Sequence, residues 1–345
     1  LTTSAEAPAP RGGGRRQLTA ALGVLVSLAL LYWVLHGVSL SDVLTHLKES
    51  RPGPLILAVA VVTADFLIRA ARWRLLLNTP DGTPIAWRAV WHATAMGFMA
   101  NNTLPLRLGE VLRAYAASRL GGVPLSAAFS SIAVERALDL LTLVALLGVA
   151  LFRAGLPADT IILGSRLDTV ALRAGVLCVL IFVAALFVVL FPRLAERITR
   201  ALIPFPRIAD RVVKLIAGLT LGLTVLRSPS RLALAVVGSL VVWLVNALSF
   251  YIAFAAFGIE VGFAGALLVQ SLLAFGVAAP SSPGYFGIFE LVVAASLALF
   301  GVPKDIAVAY GITYHITTFI PITLLGLYSL VRTGLHVKDA TAART

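Results

Sequence analysis

The residues able to do chemistry fall into four clusters. The first is the run PLRLGEVLRAY, with Pro105, Arg107, Glu110, Arg113 and Tyr115. If Pro105 opens a helix, Arg107, Glu110 and Arg113 lie at i, i+3 and i+6 on one face. The second is SIAVERALDLL: Glu135 and Asp139 share a face at i, i+4, and Arg136 can pair with Asp139 at i, i+3. The third is PSSPGYFGIFE, with Ser281, Ser282, Pro283, Gly284, Tyr285, Gly287 and Glu290. The fourth is Tyr314 and His315 with Thr317 and Thr318. Arginines can clamp phosphate oxygens in a bidentate fork. Helix starts offer free backbone N–H groups to an anion. Carboxylates can balance these charges, receive a cationic headgroup or carry protons. The competing reading is a self-neutralising ion-pair network that fixes structure, and the charges suit it: Arg107, Arg113 and Arg136 face Glu110, Glu135, Asp139 and Glu290.

The elements that hold these residues are dictated by composition. The chain has 345 residues, 59% hydrophobic and 13% charged, with a mean hydropathy of +0.95. A soluble domain carries about 25% charge and about 45–50% apolar residues. Too little polar surface remains to cover a water-soluble globule, which excludes an ordinary soluble enzyme, a disordered chain and a disulfide scaffold. An all-α polytopic membrane protein remains. The formal net charge of +12 sits between apolar runs rather than on one basic face, so it orients helices rather than binding nucleic acid. The lone Cys178 excludes an intrachain disulfide and a cysteine-rich metal site. No metal or other cofactor is expected.

About 20 apolar residues cross the hydrocarbon core. Full spans are predicted at Leu18–Leu35, Pro54–Ala71, Ile132–Phe152, Val170–Phe191, Leu232–Phe257 and Ile306–Val331. Two further apolar regions are interrupted. Ala89–Leu120 breaks at Asn101 to Pro105, and Gly262–Phe300 breaks at Ala279 to Gly287. Broken backbone at membrane depth is tolerated only where protein or a wet cavity surrounds it. Both regions therefore read as re-entrant hairpins, with tips at Asn101, Asn102 and Pro105 and at Ser281, Ser282, Pro283 and Gly284; pairs of short spans are the alternative. Residues 1–17 read as a disordered tail and 332–345 as a cytoplasmic one. Arg193–Lys214 reads as a basic amphipathic segment along the interface. With the N-terminus inside, predicted inner segments hold 18 Lys and Arg against 6 outside, which puts both termini in the cytoplasm of a plasma-membrane protein.

The chain also repeats itself. Gly122-Val123-Pro124 recurs as Gly301-Val302-Pro303, and at the same offset of 179 Gly97 meets Gly276 and Ala95 meets Ala274. Halves at about 54–152 and 232–331 each read span, broken hairpin, Gly-Val-Pro, span. An even number of crossings separates the mates Ile132–Phe152 and Ile306–Val331. They therefore run in opposite directions, an inverted-topology repeat of the kind transporters use. Lesser features read plainly. His92 is a packing histidine, Asp65 and Arg69 an interfacial i, i+4 pair, and Trp33, Trp73, Trp87 and Trp91 belt residues.

Together these motifs resemble the integral-membrane domain of lysylphosphatidylglycerol synthases and related stand-alone flippase-like proteins, over roughly Leu18 to Val331. The resemblance implies a lipid-translocating domain. In the full synthases that domain moves an aminoacylated phospholipid between leaflets, and related stand-alone proteins are linked to other lipids, polyprenyl-linked sugars among them. Carried over by motif, the implied site is Arg107, Glu110, Arg113, Glu135, Arg136, Asp139 and Glu290, to which the residues themselves add His315. The sequence ends at Thr345 without the soluble aminoacyl-transferase domain. The expected substrate is thus an anionic, aminoacylated or polyprenyl-linked lipid. A second copy of the chain and a separate synthase are further candidate partners. An intramembrane transferase on a lipid-linked donor, a proton-coupled carrier of a small solute and a non-transporting scaffold are the competing functions. No H-E-x-x-H, G-x-S-x-G or phosphate-loop motif supports the enzyme.

Overall fold

A computed structural model describes residues 25–336 apart from 27, 37, 78, 80–81, 105–107, 157–160, 163–164, 167–168, 170–171, 174–175, 177–179, 181–182, 184–186, 188–190, 207, 211, 214–228 and 279–282. The described chain is helical: α1 Leu40–Glu49, α2 Pro52–Leu75, α3 Trp87–Thr103, α4 Leu108–Gly121, α5 Leu125–Arg153, α6 Pro192–Leu202, α7 Pro229–Phe254, α8 Phe263–Gly276, α9 Ile288–Ala298 and α10 Lys304–Thr333. Three-residue 3-10 turns lie at Ala255–Phe257 and Pro283–Tyr285. The exception to an all-helical fold is a two-residue antiparallel pair, Ile161–Ile162 with Ser165–Arg166.

The segments Pro52–Leu75, Ser230–Phe257 and Lys304–Thr333 are each long and apolar enough to cross a membrane. They keep large apolar side chains outside: Ile56, Leu57 and Leu67 on α2, Leu234 and Val237 on α7, Leu324 and Val331 on α10. Such faces suit lipid contact. Helix α5, at 29 residues, is about 43 Å long but carries Glu135, Arg136 and Asp139 at its middle. The molecule is a polytopic membrane protein. Of the predicted span Leu18–Leu35, residues 25–35 apart from 27 are described and helical, whereas Val170–Phe191 falls largely outside the described residues. Helical residues recur at 206, 208–210 and 212–213, and α6 forms the first part of the predicted interfacial segment. It turns Leu194, Ile198 and Leu202 outward at i, i+4, i+8.

Both interrupted regions are helix–break–helix. Limbs α3 and α4 pack on each other, as do α8 and α9. Glycines set the closeness: a Cβ on Gly97 would meet the Arg113 Cβ at 2.7 Å, and one on Gly276 would meet the Val292 Cγ2 at 2.8 Å. Each hairpin is followed by the same turn. Gly122 and Gly301 take φ +66° and +73°, and Pro124 and Pro303 then cap α5 and α10 at φ −54°. A positive φ costs glycine nothing.

The halves interlock reciprocally. Helix α3 packs on α10 and α8 on α5, while α2 packs along α7. The last pair is antiparallel: the Arg51 amide donates to the Ala256 carbonyl at 2.9 Å, Ser249 Oγ to the Ala58 carbonyl, and Arg72 reaches Ser239. One buried apolar cluster joins Trp73, Met96 and Leu112. Another joins Phe254, Leu297 and Tyr310.

Candidate functional site

The buried charges converge on α5. Asp139 is its middle residue, 14 from either end, or about 21 Å at 1.5 Å per residue. Arg113 of α4 binds Glu135 in a fork, Nη1 to Oε1 and Nη2 to Oε2, both at 2.9 Å. Its guanidinium lies 3.8 Å from the Trp73 ring centre, and the Trp73 indole N–H donates to Ser131 Oγ at 3.0 Å. Glu135 Oε1 also meets Arg72 Nη2 at 3.2 Å and Arg136 Nη2 at 2.6 Å. Asp139 Oδ1 accepts from Arg72 Nη1 and from the Trp243 indole at 3.1 Å. Its Oδ2 lies 3.3 Å from Arg136 Nη2. Arg72 Nη1 further donates to Ser239 Oγ at 2.8 Å. Three guanidiniums thus balance Glu110, Glu135 and Asp139, tying α2, α4, α5 and α7 together. Such a network is stable only when every charge is matched.

Arg136 stands apart within it. Its side chain is 40% exposed, whereas those of Arg72, Glu135 and Asp139 are 1%, 2% and 4% exposed. Its Nε, like those of Arg72 and Arg113, has no hydrogen-bond partner among the described residues, and the Glu110 carboxylate lies 3.9 Å from it. Arginine carries five N–H donors, so Arg136 keeps capacity for a further anion.

The exposed part of Arg136 borders a cavity of about 470 Å³. Both hairpins line it, the first with Asn101, Asn102, Glu110 and Arg113, the second with Val277, Ala278 and Tyr285, while α5 gives Arg136 and Asp139. The breaks are held in place locally. The Gly109 amide donates to Asn101 Oδ1 at 3.0 Å, Asn102 Nδ2 donates to Thr323 Oγ1 on α10 at 3.0 Å, and the Pro283–Tyr285 turn packs on α3.

Of the residues singled out in the sequence, Glu110, Arg113, Arg136 and Asp139 border this cavity and Glu135 is buried behind it. Glu290 and His315 do not border it. They pair with each other, His315 Nδ1 to Glu290 Oε1 at 2.7 Å. Glu290 Oε2 accepts from the Gly287 amide at 2.7 Å, capping α9, and the Phe289 ring stacks on the imidazole at 4.1 Å. Pro283 and Gly284 lie in the second break; Gly284 is buried at φ +71°. Pro105, Arg107, Ser281 and Ser282 fall outside the described residues.

Two readings need correction. Asp65 and Arg69 are not interfacial: both are buried, bonded at 2.6 Å, with the guanidinium 5.5 Å from the Phe98 and Trp243 rings. Trp73 is not a belt residue but fully buried. Sequence reasoning also missed Arg72, placing it in a cytoplasmic loop. The available signal was spacing: Asp65, Arg69 and Arg72 recur at i, i+4, i+7 on one face of an apolar run.

The comparisons with known proteins decide the family. The model of the lysylphosphatidylglycerol synthase transmembrane region matches residues 20–326. The chain belongs to that family. It is similar to two membrane proteins named UPF0104 of Methanothermobacter thermautotrophicus. One is 26% identical, covering 89% of this chain and 90% of the relative, and the other is 24% identical, covering 93% and 95%. A shorter match, 27% identical over 39% of this chain, falls on 22% of the glycosyltransferase AglD of Haloferax volcanii.

Proposed function

We propose that the protein is a lipid translocase that carries a phosphate-bearing lipid headgroup between leaflets through the cavity between the two hairpins. The observation that carries this is Arg136, whose side chain is 40% exposed on the wall of a cavity near the middle of α5, amid otherwise buried charges. An ionised group at that depth costs at least about 2.5–3.5 kcal/mol. A purely structural network would have no reason to leave one arginine exposed to a cavity while its partners are buried.

In this reading Arg136 takes the headgroup phosphate, with Glu110 as its partner when no headgroup is bound. Asn101, Asn102 and Tyr285 supply neutral polar contacts. Arg113, Glu135, Arg72 and Asp139 hold the wall rigid. The two hairpins are re-entrant, and the chain is an inverted-topology repeat with both termini cytoplasmic. Support comes from the antiparallel mates α2 and α7, the paired glycines Gly97 and Gly276, and the like turns at Gly122 and Gly301. Helix α6 lies on the cytoplasmic face of the bilayer. The family fits the reading, since its synthase members carry this region beside lipid chemistry. The match to a glycosyltransferase covers too little of that protein to favour transfer chemistry here.

Purified protein in vesicles with fluorescent phospholipids in both leaflets tests the proposal. Protein-dependent exchange, measured by quenching of outer-leaflet fluorescence, is the predicted result. Exchange no faster than in empty vesicles, across anionic, aminoacylated and isoprenoid-phosphate lipids, refutes it.

A further inference from the structure

Glu290 and His315 are a buried acid–base pair that the proposed headgroup cavity does not use. Their places in the fold give them a meaning. His315 is the twelfth residue of α10 as Arg136 is the twelfth of α5, an offset of 179, and Glu290 near the start of α9 follows Glu110 near the start of α4 by 180, one residue off that register. The same offset of 179 relates the Gly97–Arg113 contact to the Gly276–Val292 contact. It also relates the left-handed glycines 122 and 301. The two acid–base pairs therefore join corresponding helices of the two halves, with the two glutamates one residue out of register.

They are not in equivalent states. Arg136 Nε and Glu110 Oε1 stand 3.9 Å apart, with side chains 40% and 33% exposed. His315 and Glu290 stand 2.7 Å apart, with side chains 6% and 2% exposed. The closed pair is fastened further. Glu290 caps α9 through the Gly287 amide, and the rings of Phe286 and Phe289 lie 4.6 and 4.1 Å from the imidazole. One half is open and the other shut.

We propose that Glu290–His315 is the closed gate of the second half, the counterpart of the parted Glu110–Arg136 pair, and that the pair must separate for cargo to leave on the opposite side. The inference rests on the translocase reading and adds to it the position of the second gate. When a repeat built of inverted halves alternates, each half takes up the other's conformation. In the second state Glu110 closes on Arg136, and α9 leaves α10. Glu290 and His315 are positioning residues here: they hold the break at Gly287 against α10, and cargo reaches them only after they part.

Two experiments in a Cys178→Ala background test this. First, spin labels on Phe286→Cys, in the second break, and Leu324→Cys, on α10, report their separation by pulsed electron resonance in lipid vesicles. The proposal predicts two distances, with the longer gaining at least threefold in Glu290→Gln. A single distance in both proteins overturns the gate, whatever the exchange assay shows. Two distances without any lipid exchange overturn the translocase reading and leave the gate standing. Second, Phe286→Cys/Phe319→Cys places thiols where the rings now sit 5.6 Å apart; it keeps Glu290 and His315 but removes both rings from beside the imidazole, so the same double variant before cross-linking is the reference. A short bifunctional methanethiosulfonate should slow exchange at least tenfold, and reductant should restore it, while a monofunctional reagent has no such effect. Exchange that continues unchanged after complete cross-linking refutes the gate even if Glu290→Gln fails to fold.

Discussion

Replacing Glu135 by glutamine separates the wall of the cavity from its working surface. Glu135 is 1% exposed and its Oε1 serves Arg113, Arg72 and Arg136 at 2.9, 3.2 and 2.6 Å. Glutamine keeps the shape and an acceptor oxygen but removes the charge. Three guanidiniums then face two carboxylates, Asp139 and Glu110, and one positive charge in a water-poor setting is left unmatched. At an effective dielectric of 20, one ion pair at 4 Å is worth about 4 kcal/mol. Breaking a buried pair by removing one partner costs about 3–5 kcal/mol. The same change at Glu110, one-third exposed and 3.9 Å from Arg136, should cost no more than about 1 kcal/mol. Unfolding of the detergent-solubilised variants by dodecyl sulfate titration measures both. The expected pattern is a large loss for Glu135→Gln and near wild-type stability for Glu110→Gln, whose lipid exchange nonetheless falls at least tenfold. Equal, small losses for the two variants would refute the division of this network into an anchor and a working pair.

Three further outcomes follow from the same geometry. Arg136→Lys keeps the charge but loses the planar fork, so exchange should drop about tenfold or more with stability changed by less than about 2 kcal/mol, read by the same two assays. Gly109→Ala would put a Cβ 1.9 Å from the Gly97 carbonyl oxygen. It should destabilise by about 1–3 kcal/mol, whereas Gly148→Ala, with nothing within 4 Å, should be neutral or stabilising by up to about 1 kcal/mol. Arg72→Met should cost about 3–5 kcal/mol, and Arg72→Met/Asp139→Leu less than the sum of the two single changes, because the double variant leaves less charge unmatched.

Local chemistry made part of this architecture legible. The sequence marks breaks at Asn101 to Pro105 and Ala279 to Gly287 by their turn-forming residues, and in the structure α3 runs on through Asn101 and Asn102 to Thr103 before the first break opens. Both breaks lie between packed limbs, and Gly-Val-Pro marks the same turn twice because only glycine accepts its φ. The pairing of Arg136 with Asp139 followed from helical spacing alone. What stayed hidden depends on neighbours distant in sequence. Arg72 sits near the end of α2, where arginine ordinarily meets headgroups, and it is buried only because Asp139 of α5 and Ser239 of α7 cover it. Trp73 carries the residue type of a belt, yet Ser131 and Arg113 claim both its N–H and its face. Glu290 and His315 fell among the same candidates as Arg113 by residue type. Helix packing instead gives them to each other, away from the lining of the cavity.

The central claim is that a lipid phosphate enters the cavity between the hairpins and meets Arg136. A cryo-electron microscopy map of the protein in phospholipid nanodiscs examines it most directly. Phosphate density within hydrogen-bonding distance of the Arg136 guanidinium, displaced from the headgroup plane toward the level of Asp139, is the predicted result. A cavity that holds only water, with every lipid phosphate at the level of the surrounding headgroups, would contradict it.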